Sequence, residues 1–215
     1  MHTGQDPEAN ASDEAPAEPR IWGGTTLTER RDIRRTALLD AALDLIGEAG
    51  AGAVTMRAVC RRAGLTDRYF YESFATRDDL LDTLYRQVAA EFLGPMTAFA
   101  DADDPARIRA LAHALVDAVR SDPRKSRLFL VEPYSSTGLG QTTFAVMPSF
   151  TRLIQDHLFT HIEDPVRRRL AALTMASGTA GMFAAWLNGT LRADHTQLVD
   201  HVVETITAYR AMYRS

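Results

Sequence analysis

Apolar residues recur every three or four positions along most of this 215-residue chain, which is the spacing of amphipathic α-helices. The first such stretch predicts a helix that begins near Thr28 and ends at Gly50 and Gly52. Its apolar stripe comprises Ile33, Ala37, Leu38, Ala41 and Leu45. Because no stretch alternates with the period of two that a half-buried strand requires, the pattern predicts an all-α protein.

Two short helices follow the first one, and a tight turn with the sequence AGLT joins them. Thr55 is placed to cap the first of the two, which Gly64 ends, and Thr66 is placed to cap the other. Together with the preceding helix they predict a helix-turn-helix, in which the second helix of the pair enters the DNA major groove.

The aromatic side chains of that second helix separate onto two faces. Phe70 and Phe74 lie four residues apart and are predicted to anchor the helix against the apolar stripe of the first helix. Tyr69 and Tyr71 point away from that face, where a tyrosine hydroxyl can reach a DNA phosphate. The alternative, that the tyrosines fill the core, is less favoured because the phenylalanines already occupy the core face.

The rest of the chain continues the helical pattern. Residues 76–79 resemble a capping box and predict a fourth helix that runs to Gly94-Pro95. Three Asp-Pro pairs each place a capping Asp before a Pro at the first helical position. Pro148 is expected to kink or interrupt its helix. Further helices are predicted at about 105–120, 122–131, 141–161, 165–192 and 195–213, which gives about nine in all.

Composition and charge narrow the possible functions. Residues 1–26 are rich in Pro, Ala, Gly and acidic residues, which predicts a disordered acidic tail without the apolar segment of a secretory signal. No run approaches the ~20 apolar residues of a membrane helix, so no membrane partner is predicted. The single cysteine, Cys60, suits the reducing cytoplasm. The net charge of −4 conceals a basic segment, since residues 20–77 carry ten Arg against seven acidic residues.

Two segments resemble a known family, the TetR-type transcriptional repressors. They are RRTALLDAALDLIGEAG and, after it, TMRAVCRRAGLTDRYFYESFATRDDLL. The likeness is strong over residues 28–81 and extends weakly to the C-terminus through the number of helices and the segment MFAAWLNGT. It implies a helix-turn-helix DNA-binding domain at 27–75 and a larger helical ligand-binding and dimerisation domain at 76–215.

The resemblance also implies which residues contact DNA. Asp67, Arg68 and Tyr69 match the base-reading edge of the recognition helix, and Tyr71 matches a phosphate-contacting tyrosine. Many members have a small residue where Arg68 stands, so Arg68 is interpreted as an added base contact to guanine. Many also have a basic residue where Ala75 stands, so one phosphate contact is missing here. For Asp67, a role in stabilising the N-terminus of its helix is favoured over reading a cytosine. The full predicted set is Thr55, Arg57, Thr66, Asp67, Arg68, Tyr69, Tyr71, Glu72, Ser73 and Arg77.

The last two predicted helices carry more apolar surface than one domain core needs. Helix 165–192 has many small residues, which allow close helix approach, and helix 195–213 presents an apolar face. Two such helices per chain predict a homodimer held by a four-helix bundle. Internal packing alone is the alternative, and it is less favoured because a single helix-turn-helix rarely binds DNA tightly unless it is paired.

Between the helix-turn-helix and that bundle, apolar and aromatic residues with scattered polar groups predict a pocket for a largely apolar small molecule. Each of these residues could instead pack in the core. The candidates are Leu84, Val88, Phe92, His113, Val116, Tyr134, Phe144, Met147, Phe150, Ile154, Met175, Thr179 and Trp186.

Other chemistry-bearing residues favour structural roles. His157 and His161 have a metal-ligand spacing but are interpreted as a non-ligating pair, and Cys60 as a small core residue. The pair Arg30-Arg31 either faces solvent or touches phosphate, and Arg34-Arg35 is expected to face solvent. No Gly-rich phosphate loop, nucleophile elbow or carboxylate pair predicts an enzyme, and no cofactor or metal is expected.

The sequence therefore predicts a cytoplasmic, ligand-responsive transcriptional regulator. It is expected to bind a double-stranded, palindromic DNA operator as a homodimer and to be released by a small, largely apolar effector. The alternative is a helical enzyme or scaffold with an incidental helix-turn-helix.

Overall fold

The computed structural model describes residues 26–97, 104–135 and 139–213, and the predicted tail at 1–26 lies almost entirely outside them. Within these ranges the chain is helical and has no strand, which confirms the all-α class. Three short segments, α6, a π-helical turn and α7, run on without a break and count as one helix, so that the described part has nine. The bounds are α1 Leu27–Ala49, α2 Met56–Ala63, α3 Asp67–Ser73, α4 Arg77–Thr97, α5 Pro105–Ser121, α6 Pro123–Ser126, the π-helical turn Arg127–Val131, α7 Glu132–Ser135, α8 Gly140–His157, α9 Pro165–Leu187 and α10 His195–Met212.

The helix starts follow the capping residues that the sequence offers. Thr26 and Glu29 form a capping box at the start of α1. The three predicted Asp-Pro starts are confirmed, since the carboxylates of Asp104, Asp122 and Asp164 each accept a hydrogen bond from a backbone N–H of the first turn. These carboxylates satisfy amides that a helix N-terminus cannot satisfy itself.

The predicted ends are less accurate. Helix α4 continues through Gly94-Pro95 to Thr97, whose hydroxyl donates to the Gly94 carbonyl at 2.7 Å. Helix α8 continues through Pro148, so the expected interruption there does not occur. It then stops at His157, before the predicted 161, and the chain turns to bury Phe159. Helix α9 stops at Leu187 rather than 192.

Two hydrophobic clusters form the core. The first joins the inward faces of α1, α2, α3 and α4 to Leu128, Leu139 and Val146. The second joins α5, α8, α9 and α10. Phe92 and Phe129 pack against both clusters, so the two halves of the molecule share side chains. The domain boundary between residues 75 and 76 stays a prediction. Helix α4 begins just after it and packs against helices of both predicted domains.

The predicted stripe of α1 is partly wrong. Leu38 and Ala41 are buried as expected, but Ile33 is 61% exposed. Ile33 lies in the first half of α1, where arginine side chains rather than apolar ones face the rest of the helix-turn-helix. The buried face of α1 instead uses the second half of the helix, from Leu38 to Ile46.

Helix α9 is long and apolar enough, by length and composition, to cross a membrane, contrary to the expectation from the sequence. These criteria alone are weak evidence, because a helix in a protein interface also meets them. Only 28% of its apolar window is buried within one chain. Val166, Leu170 and Leu173 are exposed on it, and they form an apolar face without a partner in the described part of the chain.

Candidate nucleic-acid interface and ligand cavity

The turn between α2 and α3 fixes the angle of a short, exposed helix. The Thr55 hydroxyl accepts from the Ala58 N–H at 3.2 Å and starts α2 as predicted. Gly64 ends α2 with a φ of 66°, a left-handed conformation that favours glycine. Thr66 occupies the N-cap position of α3 as predicted, but its side chain makes no capping hydrogen bond. The Tyr69 N–H that it would bind donates to the Thr66 carbonyl at 3.0 Å instead.

The aromatic residues of α3 divide between core and surface as the spacing predicts. Phe70 and Phe74 are buried, with ring centroids 5.9 Å apart. Tyr71 is 61% exposed. Tyr69 is half-buried, and the guanidinium of Arg34 lies 4.5 Å from its ring centroid. The buried rings therefore hold the helix, and the Tyr71 hydroxyl is free to reach outward.

Arginines of α1 hold the C-terminal end of α3. Arg31 Nη2 donates to the Glu72 carbonyl at 2.8 Å, and Arg35 Nη1 donates to the Ser73 carbonyl at 2.6 Å. The last carbonyls of a helix have no partner within it, and these guanidinium groups bind those of Glu72 and Ser73. The expectation that Arg34-Arg35 is a solvated pair is therefore wrong. Arg35 also lies over the Phe74 ring at 4.2 Å.

The Glu72 side chain, on the outward face of α3, lies between two arginine side chains. Glu72 pairs with Arg68 at 2.9 Å and with Arg34 at 3.7 Å. The Arg68 side chain is 84% exposed. Because an exposed ion pair contributes little free energy, Arg68 can exchange Glu72 for another acceptor at small cost. The arrangement can therefore present a guanidinium to a base edge.

The predicted DNA contacts lie together on α2, α3 and the start of α4, and most are exposed. Arg77 differs from the others, because its guanidinium donates to the Val54 carbonyl at 2.6 Å and the Ala51 carbonyl at 2.7 Å. It also pairs with Asp78 at 2.9 Å. These bonds hold the connection between α1 and α2, a role that a resemblance by position could not reveal. The exposed members of the set are Thr55, Arg57, Thr66, Asp67, Arg68 and Tyr71.

A cavity of about 320 Å³ lies farther along α4, among α5, the π-helical turn, α8, α9 and α10. A row of aromatic rings forms part of its wall. Phe92 stacks on Phe129 with centroids 4.9 Å apart, and Phe129 lies 5.3 Å from Phe150 and 5.4 Å from Tyr85. The volume is at the lower end of the range for small-molecule sites.

The Tyr85 hydroxyl forms a polar point in this wall. Its oxygen lies 3.1 Å from Thr143 Oγ1. The Thr143 hydroxyl can donate its hydrogen to this oxygen or to the Leu139 carbonyl, which lies at 2.9 Å, and the Tyr85 hydroxyl donates to the Phe129 carbonyl at 3.4 Å. Burial raises the pKa of Tyr85, which therefore stays a neutral phenol at physiological pH.

The structure brings some of the predicted ligand-binding residues together. Leu84 and Val88 are buried in the first core cluster, and Val116 in the second. Tyr134 and Phe144 are exposed, at 70% and 81%. These residues, with His113 and Trp186, do not line the cavity. Those that line it are Phe92, Met147, Phe150, Ile154, Met175 and Thr179.

Sequence reasoning missed several residues of the wall. His201, Thr205 and Tyr209 lie on α10, whose apolar positions were assigned to a dimer interface. Phe129 lies in the π-helical turn, and no pattern in the sequence indicates the extra residue of such a turn. The only sequence features that could have drawn attention to this segment are the proline at 123 and the dense apolar run after it.

The two histidines with metal-ligand spacing and the single cysteine do not form a metal site in the part of the chain that the structure describes. His157 ends α8 and His161 lies in the turn after it, so they do not share a helical face. Among the residues that the structure describes, no three His, Cys, Asp or Glu side chains lie close enough to hold a metal ion. Cys60 is buried, as expected of a core residue, and burial raises the pKa of its thiol.

The chain is similar in sequence to known transcriptional regulators. Residues 38–84 match the family of bacterial regulatory proteins, tetR family. The HTH-type transcriptional regulator BetI of Burkholderia thailandensis is 29% identical over 168 residues, which cover 75% of this chain and 84% of that protein. The same regulator of Burkholderia mallei is 28% identical over 169 residues, or 76% and 85% of the two chains.

Solved structures share the fold. FadR from Bacillus subtilis, in complex with stearoyl-CoA, superposes with a TM-score of 0.67 at 19% identity over 81% of this chain and 98% of its own. A TetR-like transcriptional regulator from Rhodococcus sp. RHA1 superposes with a TM-score of 0.64 at 15% identity, over 83% and 96% of the two chains. At these identities the likeness shows a common fold.

Proposed function

This chain is a TetR-family transcriptional regulator and not an enzyme, and we propose that it is a repressor that binds a palindromic operator as a homodimer. The observation that carries the proposal is the presentation of α3. Buried Phe70 and Phe74 hold it from within, Arg31 and Arg35 hold its C-terminal end, and Arg68 and Tyr71 project outward. A helix fixed in this way can enter a major groove without an ordering cost. The repressor would act in the cytoplasm, where its operator lies.

The exposed face of α9 supports the homodimer. Val166, Leu170 and Leu173 leave an apolar strip on a helix that packs against α8 on its other side. A second copy would cover the strip through the same helix, as a two-fold axis requires. Two recognition helices about one turn of DNA apart would then read two inverted half-sites.

The cavity supports an apolar effector. The regulator FadR of Bacillus subtilis, which shares this fold, has a structure with stearoyl-CoA, a molecule with a long apolar tail. The cavity of this chain is likewise lined mainly by apolar side chains. We infer that a small, largely apolar molecule fills it and weakens operator binding.

Two connections can carry the effect of the ligand to the DNA-binding domain. Helix α4 begins beside α3 and reaches the cavity at Tyr85 and Phe92, whereas Leu84 and Val88 are buried in the core. The second connection is the π-helical turn, which places Phe129 on the cavity wall. A ligand that displaces these aromatic residues would change the spacing of the two recognition helices.

Selection of bound duplexes from a random DNA library tests the proposal. The purified protein should enrich an inverted repeat, and a variant with Tyr71→Ala should retain less of the same repeat at equal protein concentration. Enrichment of no common sequence, or of a sequence without inverted symmetry, would contradict operator binding by a homodimer.

A further inference from the structure

The cavity wall carries no formal charge. Among the described residues that line it there is no Asp, Glu, Lys or Arg, and the titratable side chains are Tyr85, His201 and Tyr209. An ionised group that entered would lose its hydration without gaining an opposite charge, which is costly. The part of a ligand that enters this cavity is therefore uncharged.

The aromatic rings do not offer an open cage for a cation. A quaternary ammonium group can bind to free faces of aromatic rings without any carboxylate. Here Phe129 lies between Phe92 and Phe150, and the Phe92 and Phe129 rings are nearly parallel at 14°. Phe92 and Phe129 therefore cover one face of each other, and the contacts of Phe129 with Phe150 and Tyr85 leave it no open face for a cation.

A polar group is available at one edge of the cavity, on α10. On the neighbouring α9, the Thr174 hydroxyl is already used, because it donates to the Leu170 carbonyl of its own helix at 2.9 Å. The Thr205 hydroxyl instead pairs with His201 Nε2 at 3.4 Å, which is long for a hydrogen bond. His201 is exposed, so this pair marks the side where the cavity opens. A ligand hydroxyl or amide could bind there with better geometry than the pair has now.

We propose that the effector is an uncharged amphiphile with a single hydrogen-bonding head, an inference that rests on the cavity being the effector site. Its apolar part lies against Phe129 and Phe150, and its head binds Thr205 and His201. A fixed positive charge excludes a molecule from the site.

Isothermal titration calorimetry with two ten-carbon probes, 1-decanol and decyltrimethylammonium, tests the ligand class. 1-Decanol should bind, and the cation should neither bind with comparable affinity nor displace it. Thr205→Val should weaken decanol binding between about two- and tenfold, the effect of one lost hydrogen bond. Thr207→Val is the matched control, because Thr207 is on the same helix and its hydroxyl donates to the Val203 carbonyl.

The inference is overturned if decanol does not bind, if the cation displaces it at similar concentrations, or if Thr205→Val and Thr207→Val behave alike. Fluorescence anisotropy with labelled operator separates this result from the proposed function. If decanol binds through Thr205 but leaves the operator bound, the ligand class stands and the repressor mechanism fails. If only the cation releases operator, the mechanism stands and the ligand class is wrong.

Discussion

The backbone N–H of Ala51 donates a hydrogen bond of 2.9 Å to the carboxylate of Glu132, a side chain that is only 4% exposed. The other carboxylate oxygen accepts from Arg127 Nε at 3.1 Å, and Arg127 Nη1 donates to the Gly47 carbonyl at 3.2 Å. Phe129, which stands between Arg127 and Glu132 in the sequence, lies on the cavity wall. One turn of backbone thus contacts both the end of α1 and the ligand cavity.

Glu132→Gln should weaken this connection. The amide keeps the shape of the carboxylate but loses the charge that faces Arg127, so we expect a loss of about 1–3 kcal/mol in the free energy of unfolding. Release of operator by an effector should also require more ligand, because movement of Phe129 would reach α1 less directly. Chemical denaturation and anisotropy titrations measure the two effects. Glu91→Gln is the control, since Glu91 forms an exposed pair with Lys125. Equal behaviour of the two variants would show that the Glu132 connection carries no signal.

Arg35→Ala should destabilise the DNA-binding domain. It removes the hydrogen bond to the Ser73 carbonyl and the contact with the Phe74 ring, which together are worth about 1–3 kcal/mol. Operator affinity should fall because α3 loses its fixed C-terminal end. Thermal unfolding and DNA titration check both effects, and Arg120→Ala at the exposed end of α5 is the control. An unchanged melting temperature would mean that α1 does not hold α3.

Tyr71→Ala should weaken binding to all DNA sequences by about 1–2 kcal/mol, since the lost contact is to phosphate. The fold should remain, because the Tyr71 side chain is largely exposed. Arg68→Ala should in addition relax the preference at one base pair. Circular dichroism and DNA titrations at several salt concentrations are the measurements. Tyr134→Ala is the control, as Tyr134 is an exposed tyrosine far from α3 in the sequence. Wild-type affinity of the Tyr71 variant would remove this residue from the interface.

Leu170→Glu should give a folded monomer that no longer binds operator tightly. The substitution places a charge on the apolar strip of α9, where a second copy would have to bury it. Analytical ultracentrifugation and operator titration test the expectation. Phe144→Glu on α8 is a control at another exposed apolar position. A dimeric Leu170 variant would place the interface elsewhere.

The sequence predicts what depends on local chemistry. Asp104, Asp122 and Asp164 start helices because each cap needs only the next two or three residues. The inward position of Phe70 and the outward position of Tyr71 follow from helical spacing alone. The prediction of a transcriptional regulator came from the resemblance to a family.

What the sequence could not predict depends on contacts between distant residues. Arg35 meets Ser73 across 38 positions, and Arg77 meets Ala51 across 26, so neither appears as a pattern. The cavity wall is similar, because Phe129 in the π-helical turn lines it whereas Tyr134 is exposed, and no pattern in the sequence separates the two. Helical spacing selects a face, and tertiary packing decides what that face meets.

The most direct test of the account is calorimetric titration of 1-decanol into the protein, alone and in complex with its selected operator. Ligand and DNA favour different states in this account, so operator should weaken decanol binding by roughly 5–150-fold, and decanol should weaken operator binding by the same factor. Equal decanol affinities in the two titrations would contradict the account, because a ligand with no preference between the two states cannot release DNA.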